Sequence, residues 1–582
     1  MILQALVEHY EDLAAQGKLA RPGWSDANIS CALYINDAGE LEQVADIRQI
    51  PENGKGKPRP QKMMLPSPPT GRTSLAVKPA FLWDNSKYLL GIDSKGKLEQ
   101  STKSFQGSRS IHHSLLDAVD SPAARAVLAF FDRWDPGTAR EHPALADRLE
   151  DILAGANMVF RYNGIFLQDD PHIREAWQNH YDTIENGPEM VCLVTGRKGA
   201  AEAVHPSIKG VPGAQSSGAA LVSFNGDAFC SYGREQSLNA PTSKYAAFAY
   251  TSALNHLLAD RDYVGRIGDT TVLFWASGGQ RVYQSFFVAS LFGAPTSYSA
   301  SDLQKMTLDL CQGKPVLFDE TRLDPGTTFY ILGLSPNAAR LSVRFFLKNS
   351  FGVFVRNVHA HQERLEIIRP SFDKFETIPL WKLLDETVNQ NSRDKSPTPG
   401  MAGETLRAIL SDTSYPATLL HGVSLRIRAE REITRGRAAI LKAYYLKNPH
   451  SDIPPKEVLT VSLNPDSANI PYTLGRLFSV LEAIQSQANP GINATIKDRY
   501  FNSASATPSR VFPALINLAQ KHLRKLDRGW SISYNKQLTE LTGKLGETFP
   551  DRLSLPQQGA FQLGYYHQTQ ARYTKKEETE HV

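Results

Sequence analysis

Cysteine is scarce in this chain, with four residues in 582: Cys31, Cys192, Cys230 and Cys311. No two share C-x-x-C spacing, so a zinc site built on thiolates is not expected. Four scattered thiols also fall short of a disulfide framework, which fits a reducing compartment. Long apolar runs are missing too. Nothing approaches the roughly 20 residues that span a bilayer. The N-terminus carries Glu8 and no basic leader, the pattern of an amphipathic helix rather than a signal peptide. Charge of one sign is nearly absent: 64 basic residues stand against 60 acidic ones, a net of +4. Any affinity for phosphate therefore has to rest on local clusters. Catalytic signatures are lacking as well, with no H-E-x-x-H, no Walker loop, no nucleophile elbow and no paired-carboxylate motif. Adjacent His112 and His113 diverge on any regular element, and His256 suits a core or cap. These absences predict a soluble cytoplasmic protein that is not an enzyme and holds no metal or other cofactor.

What is present is an ordinary globular composition, 41% hydrophobic and 21% charged, and a length that predicts several domains or one large irregular one. Leu3, Leu6, Val7, Tyr10 and Leu13 predict a helix over 1–16. Strands are expected at 29–35, 41–47, 158–162, 190–194, 271–276 and 328–334. A short hairpin is expected at 86–100, broken helix over 110–155 and a helix over 243–259. Prolines 58, 60, 66, 68 and 69 exclude helix and central strand from 51–79. With Lys62, Arg72 and Lys78 that stretch reads as a basic exposed loop. A polar Ser/Pro/Gly stretch at 385–403 marks a boundary. Beyond it, Leu474, Leu477, Phe478, Leu481 and Ile484 form one apolar stripe, and leucines near 515–526 and 538–545 form others. The expected class is α+β: a large irregular mixed domain of sheet and helices over 1–395, then an all-α helical bundle over 396–582.

Three segments carry candidate chemistry. In His205-Pro-Ser-Ile-Lys-Gly-Val-Pro-Gly-Ala-Gln-Ser-Ser-Gly218, Gly210, Gly213 and Gly218 allow close backbone approach. Lys209 can neutralise a phosphate, while Gln215, Ser216, Ser217 and the nearby Asn225 offer polar contacts. That composition suits a loop against a nucleic-acid backbone or groove, and equally a Gly/Ser loop between strands. Arg234, Gln236 and Asn239 are of the types that read base edges, or they belong to a loop capping the helix that follows. Arg426, Arg428, Arg431, Arg435, Arg437, Lys442 and Lys447 form a basic run near Tyr444 and Tyr445. Arg428, Arg431 and Arg435 are expected on one helical face, suited to single-stranded nucleic acid or simply solvated. Lys521, Arg524, Lys525 and Arg528 form a second cluster.

Several longer stretches carry a resemblance: Met1-Ile-Leu-Gln-Ala-Leu, Lys78-Pro-Ala-Phe-Leu-Trp-Asp-Asn85, His205-Pro-Ser-Ile-Lys-Gly-Val, Gly213-Ala-Gln-Ser-Ser-Gly218, Ser231-Tyr-Gly-Arg-Glu-Gln236, Asn239-Ala-Pro, Ala253-Leu-Asn-His-Leu-Leu, Ile331-Leu-Gly-Leu-Ser-Pro-Asn and Leu563-Gly-Tyr-Tyr-His-Gln568. Together they resemble the large subunit of the type I-C CRISPR surveillance complex (Cascade), the subtype I-C Csd-type CRISPR-associated family. Some relatives carry extra cysteines near Cys192; here it stands alone, so no metal is expected.

The resemblance implies a subunit for antiviral defence. Such a subunit recognises the protospacer-adjacent motif in duplex DNA, promotes unwinding and R-loop formation, and recruits a helicase–nuclease, while guide-RNA pairing reads the target. Its implied partners are CRISPR RNA, double-stranded target DNA and the displaced strand, the backbone, handle-binding and small subunits, and the helicase–nuclease, with no membrane. It also implies a separate small-subunit product from an internal start, here near Val458 or Val461. On this resemblance Lys209, Gly210, Gly213, Gln215, Ser216, Ser217, Asn225, Arg234, Gln236 and Asn239 become candidates for duplex and motif contact. Lys62, Arg72 and Lys78 become non-specific clamps, and Arg428, Arg431 and Arg435 contacts to the displaced strand. The readings set against this one are a magnesium nuclease and a scaffold touching only RNA and protein.

Overall fold

The computed structural model describes residues 1–50, 58–69, 77–96, 98–183, 187–293, 297–393, 395–448 and 454–573. Backbone contacts divide the chain into two compact units, one of residues 1–206 with 223–253, the other of 207–222 with 254–582.

The first unit opens with helix α1 (Ile2–Ala15), which buries Leu6, Tyr10 and Leu13 as its apolar spacing requires. Strands β1 (Trp24–Ile29), β2 (Cys31–Ile35) and β3 (Leu41–Asp46) follow. The proline-rich stretch contributes β4 (Gln61–Pro66), where the sequence predicted only loop. It pairs β1 alone, from Trp24 opposite Pro66 to Ile29 opposite Gln61, a two-stranded ribbon that prolines tolerate at its ends. After β5 (Trp83–Asp84) the expected hairpin at 86–100 is replaced by the short helix α2 (Ser86–Leu89), capped by Asn85, and the start of α3 (Leu98–Leu116). Asp93-Ser-Lys-Gly is a turn, as expected, but it joins helices.

Next come α4 (Pro122–Arg133), α5 (Leu149–Leu153), β6 (Met158–Tyr162), β7 (Ile165–Phe166), α6 (Pro171–Thr183), and the hairpin β8 (Glu189–Val191) and β9 (Lys198–Ala200). The main sheet runs β3-β2-β6-β5 with β7 on β6. Its β2–β6 pair is parallel, and both strands are buried on two faces, Phe160, Leu33 and Phe130 on one side and Val159, Ala32 and Trp83 on the other. His112 is part of this core: its Nε2 accepts from the Leu82 N–H at 3.0 Å, and Nδ1 faces the Ser108 carbonyl at 2.7 Å. Burial pushes its pKa down to about 4, so it stays neutral.

Helix α7 (Lys244–Ala259) leads into the second unit. There β10 (Val264–Ile267), β11 (Thr270–Ala276), β14 (Thr328–Asn337) and β15 (Arg340–Ser350) form an antiparallel sheet in that order. Helices α8 (Val282–Phe292) and α9 (Ala300–Cys311) and the hairpin β12 (Val316–Phe318) and β13 (Thr321–Leu323) lie between β11 and β14. From Phe351 onward the described elements are all helical: α10 (Phe351–Leu365), α11 (Leu380–Asp385), α12 (Pro399–Ser411), α13 (Ala417–Glu430), α14 (Arg435–Lys447), α15 (Ile470–Ala488), α16 (Ile496–Ala506), α17 (Pro508–Leu523), α18 (Arg528–Gly543) and α19 (Leu555–Tyr573). One continuous core joins sheet residues such as Phe274 and Ile331 to bundle residues such as Phe478 and Phe561. Helices α15 and α19 meet backbone to backbone. A Cβ at Gly475 would lie 1.9 Å from the Phe561 carbonyl oxygen, and one at Gly564 would lie 2.1 Å from that of Tyr472. This architecture is α+β, as the sequence predicts.

Candidate nucleic-acid interface

The glycine-rich segment of the second unit is a closed loop. Ile208 and Ala219 exchange backbone hydrogen bonds at 2.9 and 2.8 Å, and Gly210, Gly213 and Gly218 turn the chain between them with φ of +92°, +80° and +108°. At Gly218 a Cβ would also meet that of Ser207 at 2.6 Å. The loop is anchored on two sides. The Lys209 N–H donates to Asn255 Oδ1 at 2.8 Å and Asn255 Nδ2 to the Ser207 carbonyl at 3.1 Å. The β14–β15 turn accepts from Gln215 N–H through Ala338 and from Ala220 N–H through Ala339. Its glycines therefore have a structural cause in the turns themselves. What the loop offers outward is Lys209, Gly210, Gly213, Gln215, Ser216 and Ser217, all exposed. A short rigid loop bearing one cation and three small polar side chains can seat against a phosphodiester backbone and present amide and hydroxyl groups to a groove.

Asn225, Arg234, Gln236 and Asn239 belong to the first unit. There the 231–239 turn is organised by one side chain. Asn239 Oδ1 accepts from the Ser231 N–H at 2.8 Å, while Nδ2 donates to the carbonyls of Arg234 at 3.0 Å and Gln236 at 2.9 Å. The amide expected to read bases is thus already engaged with its own turn. The turn holds Tyr232 and Gln236 in the left-handed region, with φ of +54° and +49°. Arg234 and Gln236 are exposed, and Tyr232 is wholly so, at 100%. Sequence reasoning passed over Tyr232; the available signal was a tyrosine set between Ser231 and Gly233 in a polar turn. His205 is core: its Nδ1 meets Tyr250 Oη at 2.7 Å, and burial takes its pKa down to about 4.

The same unit contains a cleft of about 560 Å³ between α1, the β8–β9 hairpin and the start of α7, lined by Glu8, Glu11, Tyr181, Arg197, Lys198 and Tyr245 among others. Buried Cys192 directly follows β8. Burial raises its thiol pKa, but hydrogen bonds with Ser243 and Thr195 outweigh that and bring it down to about 7. Among the described residues no cluster of three or more His, Cys, Asp or Glu side chains is arranged to hold a metal ion. Nor is any helix among them long and apolar enough to cross a membrane.

The proposed clamps separate. Lys62 on β4 is exposed but pairs Asp26 on β1 at 2.7 Å, so part of its charge is already answered. Lys78 is exposed; Arg72 lies outside the described residues.

The basic run of 426–447 is corrected by the structure. Arg428, Arg431 and Arg435 do not share a helical face: α13 ends at Glu430, Arg431 is its left-handed C-cap with φ +56°, and Arg435 begins α14. Arg435 is 9% exposed in its side chain, pairs Asp373 at 3.1 Å and donates to the carbonyls of Phe375 and Glu376. Arg426 and Arg437 pair Glu430, and Lys447 pairs Asp412. Buried Lys442 donates to the Glu366 carbonyl at 2.6 Å. Most of this charge holds the fold together. Arg428 is exposed and reaches Gln558 at 3.1 Å.

Comparison with known proteins adds one finding: the family described as CRISPR-associated protein (Cas_Csd1) matches residues 6–573. No curated protein matches the chain.

Proposed function

Because the chain belongs to the CRISPR-associated Cas_Csd1 family, we propose that it is the non-catalytic large subunit of a type I-C surveillance complex. In this role it reads the protospacer-adjacent motif in duplex DNA, promotes R-loop formation and recruits the helicase–nuclease. The observation that supports motif contact is the anchored, exposed loop of Lys209 to Ser217, whose polar side chains face outward while its backbone is tied to Asn255 and the β14–β15 turn. Lys209 supplies a phosphate contact that fixes register without reading sequence, and Gln215, Ser216 and Ser217 supply the donors and acceptors that do. In the other unit, Arg234, Gln236 and Asn225 offer further polar contact, on a turn whose shape Asn239 maintains.

The test is selection of duplex targets with a randomised adjacent motif by the guide-loaded complex, reconstituted with and without this chain. Enrichment of a short motif only when the chain is present supports the reading. The same motif selected without the chain makes it a scaffold and removes the readout role of 209–239.

A further inference from the structure

Strand β9 has one edge that the chain leaves open. Bonds from the Cys192 N–H to the Arg197 carbonyl at 2.9 Å and from the Ala201 N–H to the Pro188 carbonyl at 3.1 Å set the phase of the β8–β9 hairpin. With Met190 opposite Gly199, that phase turns Gly199 towards β8. The N–H groups of Lys198 and Ala200 and the Lys198 carbonyl then point the other way. From Ala201 onward the chain covers this outer edge itself. Ala201 forms an antiparallel bridge with Ser243, and the Glu202 N–H donates to the Thr242 carbonyl at 2.9 Å. Over Lys198–Ala200 the cover ends, and among the described residues no further strand pairs β9. An unpaired stretch of edge is a template for another extended chain.

That edge borders the cleft of about 560 Å³, whose lining carries both signs of charge on different elements. Glu8 and Glu11, three residues apart on α1, share a helical face and are exposed. Arg197 and Lys198 are exposed on the hairpin, and neither pairs an acid among the described residues. Two tyrosines complete the lining. Tyr181 packs on Gly23, where a Cβ would lie 2.8 Å from its ring, and the Tyr245 hydroxyl donates to Glu11 Oε1 at 2.9 Å. Beside the strand edge the space is open, since a Cβ at Gly199 would meet nothing within 4 Å. Opposite charges separated by solvent gain little from each other, because they are screened. A guest that fills the cleft gains from both and from the edge.

We propose that this cleft is a docking site for a short extended peptide, which adds to β9 as a third strand. Its backbone bonds the open groups of Lys198 and Ala200, a basic side chain meets Glu8 and Glu11, and an acidic one meets Arg197 or Lys198. The three features together select this class of guest. A nucleic-acid strand would bring its phosphates against two carboxylates, and a small metabolite would leave the strand edge unused. The site shares no residue with the motif-reading loops, so the duplex selection above can fail without bearing on it.

Isothermal titration of the full chain with two blocked pentapeptides, acetyl-Lys-Val-Thr-Val-Glu-amide and acetyl-Glu-Val-Thr-Val-Lys-amide, tests it. At least one should bind saturably, and the order that binds gives the direction of the added strand. Ala200→Pro removes one open N–H from the edge and should weaken binding about tenfold. Full N-methylation of the peptide backbone should abolish binding to the unaltered chain, a control that needs no variant. Replacing Glu8 and Glu11 together with glutamine should weaken the parent peptide about fivefold, yet leave unchanged a peptide with norleucine in place of lysine. No saturable binding by either peptide overturns the proposal. So does equal binding by Ala200→Pro or of the N-methylated form. Displacement of the peptide by oligo(dT) at the same concentration would make the cleft a nucleic-acid site and overturn it as well.

Discussion

Asn239 commits both ends of its amide to the chain around it, and that fixes what its removal should do. Asn239→Ala leaves one N–H and two carbonyls of a largely exposed turn to water, so the loss of stability is small, about 1 kcal/mol. The larger effect is release of Tyr232 and Gln236 from their left-handed backbone. The expected outcome is reduced motif discrimination with little change in melting temperature, measured by duplex selection beside calorimetry. Gln215→Ala should lower discrimination as well, but with the salt dependence of duplex binding unchanged, because no phosphate contact is removed. Such a difference was only partly legible in the sequence. Residue types at 209–217 and 234–239 announced a polar, glycine-rich surface, and Lys209, Gln215, Ser216 and Ser217 are exposed as that composition implies. Whether a given amide faces a ligand or its own backbone depends on neighbours brought in by turn geometry, and a string of letters carries no such partner list.

Elements with one strong periodicity were read well. Helices α1, α7 and α15 and strands β2, β6, β11 and β14 lie where apolar spacing placed them, because each buries a face that its own residues define. Helix α6 went unseen because its buried anchors, Ile173 and Trp177, are few within a polar stretch. The 426–447 run misled for a related reason: spacing predicts a shared face only if one helix continues, and the break at Arg431 ends it. Arg435 shows the consequence. Arg435→Ala leaves Asp373 with Lys382 as its remaining cation in a nearly buried site and frees two carbonyls, a loss of about 2 kcal/mol. Urea unfolding should register it, with oligonucleotide affinity preserved. The α15–α19 contact offers a sharper case. Gly475→Ala or Gly564→Ala drives a methyl into a facing carbonyl and should lower stability by about 3 kcal/mol or more. Gly543→Ala, at the end of α18 with nothing within 4 Å of the new carbon, should be neutral or slightly stabilising.

Across the whole molecule the titratable groups are arranged for neutral pH. Each unit contains buried histidines that burial keeps uncharged: His112 and His205 in the first, with pKa values pushed down to about 4, and His361 and His567 in the second, pushed down to about 3 and about 4. His361 and His567 each meet a tyrosine hydroxyl, Tyr415 at 2.6 Å and Tyr472 at 2.9 Å, as His205 meets Tyr250. Unfolded, the same imidazoles titrate near 6.5, so below that pH the unfolded chain binds protons that the folded chain refuses. Folded pKa values below the unfolded one make stability fall as pH drops from about 6.5 towards 4, and leave it flat above about 7. For fully buried His112 the shift corresponds to about 3 kcal/mol once pH reaches its folded value. Because the four groups are divided between the units, acid should loosen both, and urea midpoints should decline together between about pH 7 and pH 5. An unchanged midpoint over that interval would mean that these imidazoles gain protons without unfolding, and would contradict the burial on which the argument stands.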